Sequence, residues 1–242
     1  MRITLCTTAI AAALFSLAAS SAYKSPAGIA AAPAAGRGVV QRAAAPVQLF
    51  KMTLQNNTRL PLSQDSITTP NVDLQLYGDG RNIIVATGSG ANFPRTFFGL
   101  CKGPCGFSLR DRNNYFDLRG SANMTFTTIV SGFHRVRPIM KLADGTLLIG
   151  DQAEGSVADY HQYTISFSEC RWLRLDPVRG VTLGGTWVVP DLSKVDEVGY
   201  FDIIPGSGAW TEGLAVEKQP PPPAGGWIAV SAFEVWGTPV SR

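Results

Sequence analysis

Histidine is almost missing from this 242-residue chain, with His134 and His161 its only two, and cysteine occurs four times. So few imidazoles and thiols leave little from which to build a zinc centre, which draws its ligands from Cys, His and carboxylates. An excess of one charge is missing too: the net charge is +3. Nucleic-acid binding needs a strongly basic face and gains no support from that balance. Beyond the first 22 residues no stretch approaches the roughly 20 apolar residues of a membrane-spanning helix, so no membrane span is expected. Helical spacing is confined to one possible turn at Asp191 to Val195. Nucleophile-elbow, phosphate-loop, dinucleotide-binding and metalloprotease-helix motifs do not occur.

What is present begins with an export pattern. Arg2 precedes an apolar run from Ala9 to Ala19, and Ser20-Ser21-Ala22 offers the small residues of a signal peptidase site, so residues 1–22 read as a signal peptide. Cys6 is then discarded. Residues 23–46 are mostly Ala, Gly, Pro and Ser, with Lys24, Arg37 and Arg42 interspersed and no periodic apolar face. Such a segment cannot offset its ordering entropy and is expected to be a disordered lead. Residues 47–242 are long enough for one well-buried domain. The expected location is outside the cytoplasm, secreted or periplasmic.

Three cysteines remain after export, which favours one disulfide and one thiol. Cys101-Lys-Gly-Pro-Cys105 is the easier bridge, because Gly103 and Pro104 can turn the chain back on itself. Cys170 is left over, its redox state open.

The body of the chain reads as an all-β, antiparallel sandwich. Val47 to Leu54 and Gly226 to Gly237 are rich in β-formers, and between them lie short strand-like runs. These are Val72 to Tyr77, Asn82 to Ala86, Gly106 to Arg110, Met124 to Val130, Phe133 to Leu142, Thr146 to Gly150, His161 to Phe167 and Val198 to Ile204. Regular short strands with turn signals between them mean a sandwich or barrel. Pro205 to Gly225, with Pro220 to Pro223, reads as a surface loop.

One hairpin is legible in detail. Phe133 to Leu142 leads through Ala143-Asp144-Gly145 into Thr146 to Asp151, with Asp-Gly supplying the positive φ angles of a tight turn. Alternation then puts Phe133, Arg135, Arg137, Ile139 and Lys141 on one face and His134, Val136, Pro138, Met140 and Leu142 on the other.

Several of these segments form a familiar pattern. Phe116-Asp-Leu-Arg-Gly120, Phe133-His-Arg-Val-Arg-Pro138 leading to Lys141-Leu-Ala-Asp-Gly-Thr146, Asp191 to Gly199 before a strand, and Gly226-Trp-Ile-Ala-Val near the end stand in that order. The region from Leu74 onward resembles a group of secreted bacterial proteins of obscure function. More distantly it resembles the galactose-binding-like jelly rolls, which include many carbohydrate-binding modules and the complex I intermediate-associated family. The resemblance implies a jelly-roll fold and a carbohydrate or other small organic ligand, and no catalytic motif.

The candidate site is the basic row Arg135, Arg137 and Lys141, with Asp151 on the hairpin partner and Arg110, Asp111 and Arg112 upstream. Arginine forks suit carboxylates and sugar hydroxyls. The competing account is a solvated outer face with cross-strand ion pairs of small value. His134 falls on the apolar face and is expected to be a hydrogen-bonded core residue. His161, following Asp159 and Tyr160, starts a strand at the rim, where His161, Tyr160 and Arg137 are the candidates for proton transfer or anion stabilisation. Among the five tryptophans, Trp210 in its Gly-rich loop is the foremost candidate for stacking on a sugar ring, and Trp187 the second. Asp196 and Glu197 fall in the segment Asp191 to Val198, where turn capping accounts for them. Gly78-Asp79-Gly80 could hold a structural Ca²⁺, although a plain turn also explains it, and no cofactor is expected. Three functions stay open, the first two being a non-catalytic carbohydrate-binding sandwich and an enzyme on the same scaffold, a polysaccharide lyase, hydrolase or small-molecule cyclase using an Arg/Lys/His/Tyr pocket. A structural envelope protein without a small ligand is the third.

Overall fold

The structure, a computed structural model, describes residues 45–56, 60–155, 157–204 and 226–242. The signal and lead expected over 1–46, apart from residues 45 and 46, and the whole loop expected over 205–225, with Trp210 and the proline run, lie outside the described residues. Among the described residues, fourteen strands carry the fold. The first five are β1 (Val47–Lys51), β2 (Leu60–Pro61), β3 (Val72–Gly78), β4 (Ile84–Ala86) and β5 (Arg95–Phe97). Then come β6 (Cys105–Asp111), β7 (Asn114–Asp117), β8 (Asn123–Gly132), β9 (Arg137–Leu142) and β10 (Leu147–Gly150). The last four are β11 (Val157–Ser166), β12 (Trp172–Arg174), β13 (Val195–Asp202) and β14 (Gly226–Ser241).

All pairings are antiparallel, and they form two layers. In the first, β14 lies between β8, which pairs outward with β11, and the shorter strands β1 and β5, with β4 and β2 continuing beyond β5. In the second, the order runs β12, β10, β9, β13, β6, β3. The sixteen-residue β14 belongs to both, because Thr238 to Ser241 pair with β7 of the second layer.

Alternation explains why these residues make two sheets with a core between them. Phe126, Val130, Ile228, Phe233 and Val235 of the first layer pack against Phe107, Leu109, Met140, Leu148, Val198 and Tyr200 of the second. Tyr200 is the joint: its ring meets Phe233 edge-on at 5.2 Å and Phe107 at 4.6 Å, and its hydroxyl lies 2.6 Å from Thr96 Oγ1. Each fully buried side chain of this size contributes about 1.5–3 kcal/mol.

The second layer is also apolar on its outer side. Ile139, Leu147, Ile149, Leu175 and Phe201 alternate with the core residues and bury together with Tyr77. The segment after β12 folds over them, with Gly78 N–H donating to the Pro177 carbonyl at 3.0 Å and Leu183 N–H to that of Arg174 at 2.8 Å. Close layering constrains side-chain size here. A Cβ on Gly199 of β13 would meet the Phe107 carbonyl oxygen and the Ser108 Cα within 2.5 Å, so only glycine fits.

The hairpin of β9 and β10 forms in the predicted register, with Lys141 opposite Leu147 and Ile139 opposite Ile149. Only Gly145 takes a positive φ (+89°), whereas Asp144 caps the turn by accepting the Thr146 N–H at 2.8 Å. The strand expected from Phe133 starts at Arg137. Phe133 is 88 % exposed, and the chain bends there because His134 is drawn inward to Asp202. The segment Asp191 to Val198 is not a capped helical turn. Asp191 accepts the Ser193 N–H in a tight turn, and Val195 onward is already β13, so Asp196 and Glu197 are strand residues.

Candidate functional site

The outer side of the second layer carries a recess of ≈ 190 Å³ beside the β9 and β10 pair. Register builds it. Ile149 of β10 lies opposite Leu173 of β12, and these two apolar side chains line the recess. Arg137, at the start of β9, and Asp151, just past β10, line it as well, together with Thr182 and Trp187.

Trp187 is 44 % exposed, and the Arg171 guanidinium lies 4.4 Å from its ring centroid. Asp151 holds that guanidinium, its Oδ2 accepting Arg171 Nε at 2.7 Å while its Oδ1 accepts the Arg171 backbone N–H at 2.8 Å. Burial alone would raise the Asp151 carboxyl, yet the bonds from Arg171 outweigh it and hold the group below the usual carboxylate range. A second recess, of ≈ 330 Å³, shares Trp187 with the first and includes Arg171. The indole therefore stands between two hollows.

Arg137 is the cation of the first recess. Its Nη1 reaches the carbonyl oxygens of Asp151 at 3.3 Å and Gly150 at 3.5 Å, and its Nε is buried without a hydrogen-bond partner among the described residues. Burial and the neighbouring Arg135 lower its pKa.

The remaining members of the predicted row are separated from this recess. Arg137, Ile139 and Lys141 do share a face, as alternation requires, but Lys141 Nζ donates to Glu197 Oε1 at 3.0 Å. Glu197 is 2 % exposed and also accepts Ser108 Oγ at 2.6 Å and the Tyr77 hydroxyl. Burial, and then the Glu197 charge, raise the Tyr77 phenol. Arg110 Nε donates to Asp196 at 3.0 Å, and Arg242 pairs with the same carboxylate. Arg112 pairs with Asp73 at 2.7 Å. Asp111 accepts the backbone N–H groups of Asn113 and Asn114 and so shapes the turn between β6 and β7. Arg135 is exposed, outside the strand, beside Gly155.

Neither His161 nor Tyr160 lines the recess. Both belong to β11 of the first layer, where His161 Nε2 lies 3.4 Å from Glu154 Oε1 and Tyr160 bonds to Arg95. His134 is the core residue expected, its Nδ1 2.6 Å from Asp202 Oδ2 with both side chains 1 % exposed. Burial raises the Asp202 carboxyl, and His134 opposes that shift. Cys101 and Cys105 form the disulfide, and Cys170 is a buried free thiol. Both Asp79 carboxylate oxygens serve a turn, accepting Asn82 Nδ2 at 2.8 Å and the Lys102 N–H at 2.5 Å.

Sequence reasoning did not find Arg171, Thr182 or the acceptor role of Glu197. Arg171-Trp-Leu-Arg174 sets two adjacent apolar residues between two arginines, so no alternation marked β12 or its pairing with β10.

No family model matches the chain. No curated protein matches it either. The solved structures to which it is similar at low identity include the following. The family 11 carbohydrate-binding module of the cellulosomal cellulase Lic26A-Cel5E of Clostridium thermocellum is 11 % identical over 84 % of this chain and 91 % of that one, with a TM-score of 0.33. The family 11 module from Clostridium thermocellum in complex with a β-1,3-1,4-mixed-linked tetrasaccharide is 12 % identical over 79 % and 98 %, with a TM-score of 0.34. PfGH50B is 12 % identical over 71 % of this chain, with a TM-score of 0.37, and the chain spans 23 % of its length.

Proposed function

We propose that this chain is an exported carbohydrate-binding protein whose ligand sits in the recess on the outer side of the second layer. The observation that carries the reading is Trp187, a half-exposed indole beside an apolar floor of Ile149 and Leu173. A pyranose offers an apolar C–H face that stacks on an indole, while its hydroxyls need polar partners at the edge. Arg137 and Thr182 provide such partners in the same recess. The clamp from Asp151 through Arg171 fixes the ring before any ligand arrives, which lowers the ordering cost of binding. Export is supported by the Cys101–Cys105 bridge, since such bonds persist in oxidising compartments.

Affinity electrophoresis of the full chain through gels containing neutral and acidic polysaccharides tests this reading. Retardation by at least one polysaccharide, weakened tenfold or more by Trp187→Ala, is the expected result. A panel that leaves mobility unchanged, or a Trp187→Ala variant retarded as strongly as the parent, would overturn it.

A further inference from the structure

We infer that the recess selects sugars bearing an anionic oxygen group, a uronate carboxylate or a sulfate ester, and that Arg137 is the residue that receives it. The inference rests on the carbohydrate reading above and names the class of sugar. Its basis is a charge left incomplete. Lys141, Arg110, Arg112 and Arg171 each have a carboxylate of their own, in Glu197, Asp196, Asp73 and Asp151. Among the described residues Arg137 has none, although it is partly buried and lines a hollow.

Its surroundings compensate only in part: Asp151 and Asp202 attract the charge from a distance, and neither side chain bonds to it. The acid nearest in the recess, Asp151, already gives both oxygens to Arg171, and Asp202 gives its Oδ2 to His134. What Arg137 has instead are two long contacts to backbone carbonyl oxygens and a buried Nε without an acceptor. Arg135 adds a second positive charge nearby, and its effect together with burial disfavours the charged guanidinium. A partly desolvated cation with no carboxylate bonded to it is costly, and an anion entering the recess lowers that cost. The planar guanidinium matches a pair of oxygens on one centre, which carboxylates and sulfate esters both present. Trp187 stacks the ring that carries the anion, and the hollow beyond it has room for the next sugar.

The test compares polysaccharides that differ only in charge. Polygalacturonate is set against its methyl ester, and a sulfated galactan against the same galactan after desulfation, in affinity gels run at 0.15 M salt to screen non-specific attraction. The expected result is retention of one charged form at least tenfold stronger than its neutral counterpart, with the responding pair telling carboxylate from sulfate. Arg137→Met should abolish that preference, weakening the charged form at least tenfold and the neutral form by less, and Arg81→Met, on an exposed side chain, should change neither. Thermal unfolding of each variant confirms folding, and Arg137→Lys, which retains the charge without the fork, should keep part of the preference. Equal retention of charged and neutral forms, or a preference that survives Arg137→Met, overturns the inference and leaves the carbohydrate reading standing. Loss of all retention by Trp187→Ala with no charge preference in the parent separates the two in the same way. A parent chain retained by nothing overturns both.

Discussion

Asp151 engages Arg171 twice, once at the backbone N–H and once at Nε. The pair closes the span between the end of β10 and the residue before β12, and it sets the guanidinium over Trp187. A short cross-strand clamp thereby decides the orientation of the one indole shared by both hollows.

Asp151→Asn should therefore affect binding more than folding. The ion pair is largely open to solvent on the arginine side, so its loss should lower stability by no more than about 1 kcal/mol in urea unfolding. Polysaccharide retention should fall several-fold, because Arg171 no longer holds the ring. The pH dependence has the same sign. The folded-state pKa of Asp151 is depressed, so the clamp is fully present above the ordinary carboxylate range near pH 4 and is lost as pH falls through the depressed value. An Asn variant that binds as tightly as the parent would show that the clamp does not matter.

The layout of strands was legible in the sequence, and the site only in part. Alternation from Arg137 to Leu142 and the Asp-Gly turn gave the correct register, because a half-buried hairpin fixes its own pattern locally. Phe133 to Val136 misled in the extent of the strand only: alternation put His134 on the inner face, but its partner Asp202, 68 residues away, shows in no local pattern. Glu197 misled for a related reason. Beside Asp196 it looks like part of a solvated turn, and its burial follows only when Tyr77, Ser108 and Lys141 arrive from three other strands. The short strands β2, β5, β7 and β12 have too few residues to show a period.

Cys170 should be inert in the folded protein. Burial pushes its thiol up to about 12, so little thiolate exists at pH 8. Alkylation of the Cys170 peptide, followed by mass spectrometry, should run roughly a thousandfold slower in buffer than in guanidinium, following the drop in thiolate fraction. Because the folded pKa is raised, the thiol's contribution to stability is present below the unfolded value and is lost as pH rises toward 12. Equal alkylation rates in the two solvents would place Cys170 at the surface.

Glu197 tests how the outer side of the second layer is held. It is a buried carboxylate that accepts from a lysine ammonium, a serine hydroxyl and a tyrosine hydroxyl, and it is flanked by the apolar cluster of Ile139, Leu147 and Phe201. Removing it strands three donors at once, two of them on buried residues, Tyr77 and Ser108. Breaking such a buried pair from one side costs about 3–5 kcal/mol. For a domain of this size each 1 kcal/mol moves Tm by roughly 2–4 °C, so Glu197→Ala should lower it by roughly 6–20 °C. Replacing Glu197 and Lys141 by Leu and Tyr77 by Phe removes the acceptor and two of its three donors, leaving only the Ser108 hydroxyl unmatched, and this triple variant should recover more than half of the loss, since matched apolar substitutes for a buried ion pair are often neutral. Glu197 does not line either hollow, so polysaccharide retention below the melting transition should be unchanged in the triple variant. A Glu197→Ala protein melting within about 2 °C of the parent would mean that water reaches these donors and that the network is a surface feature.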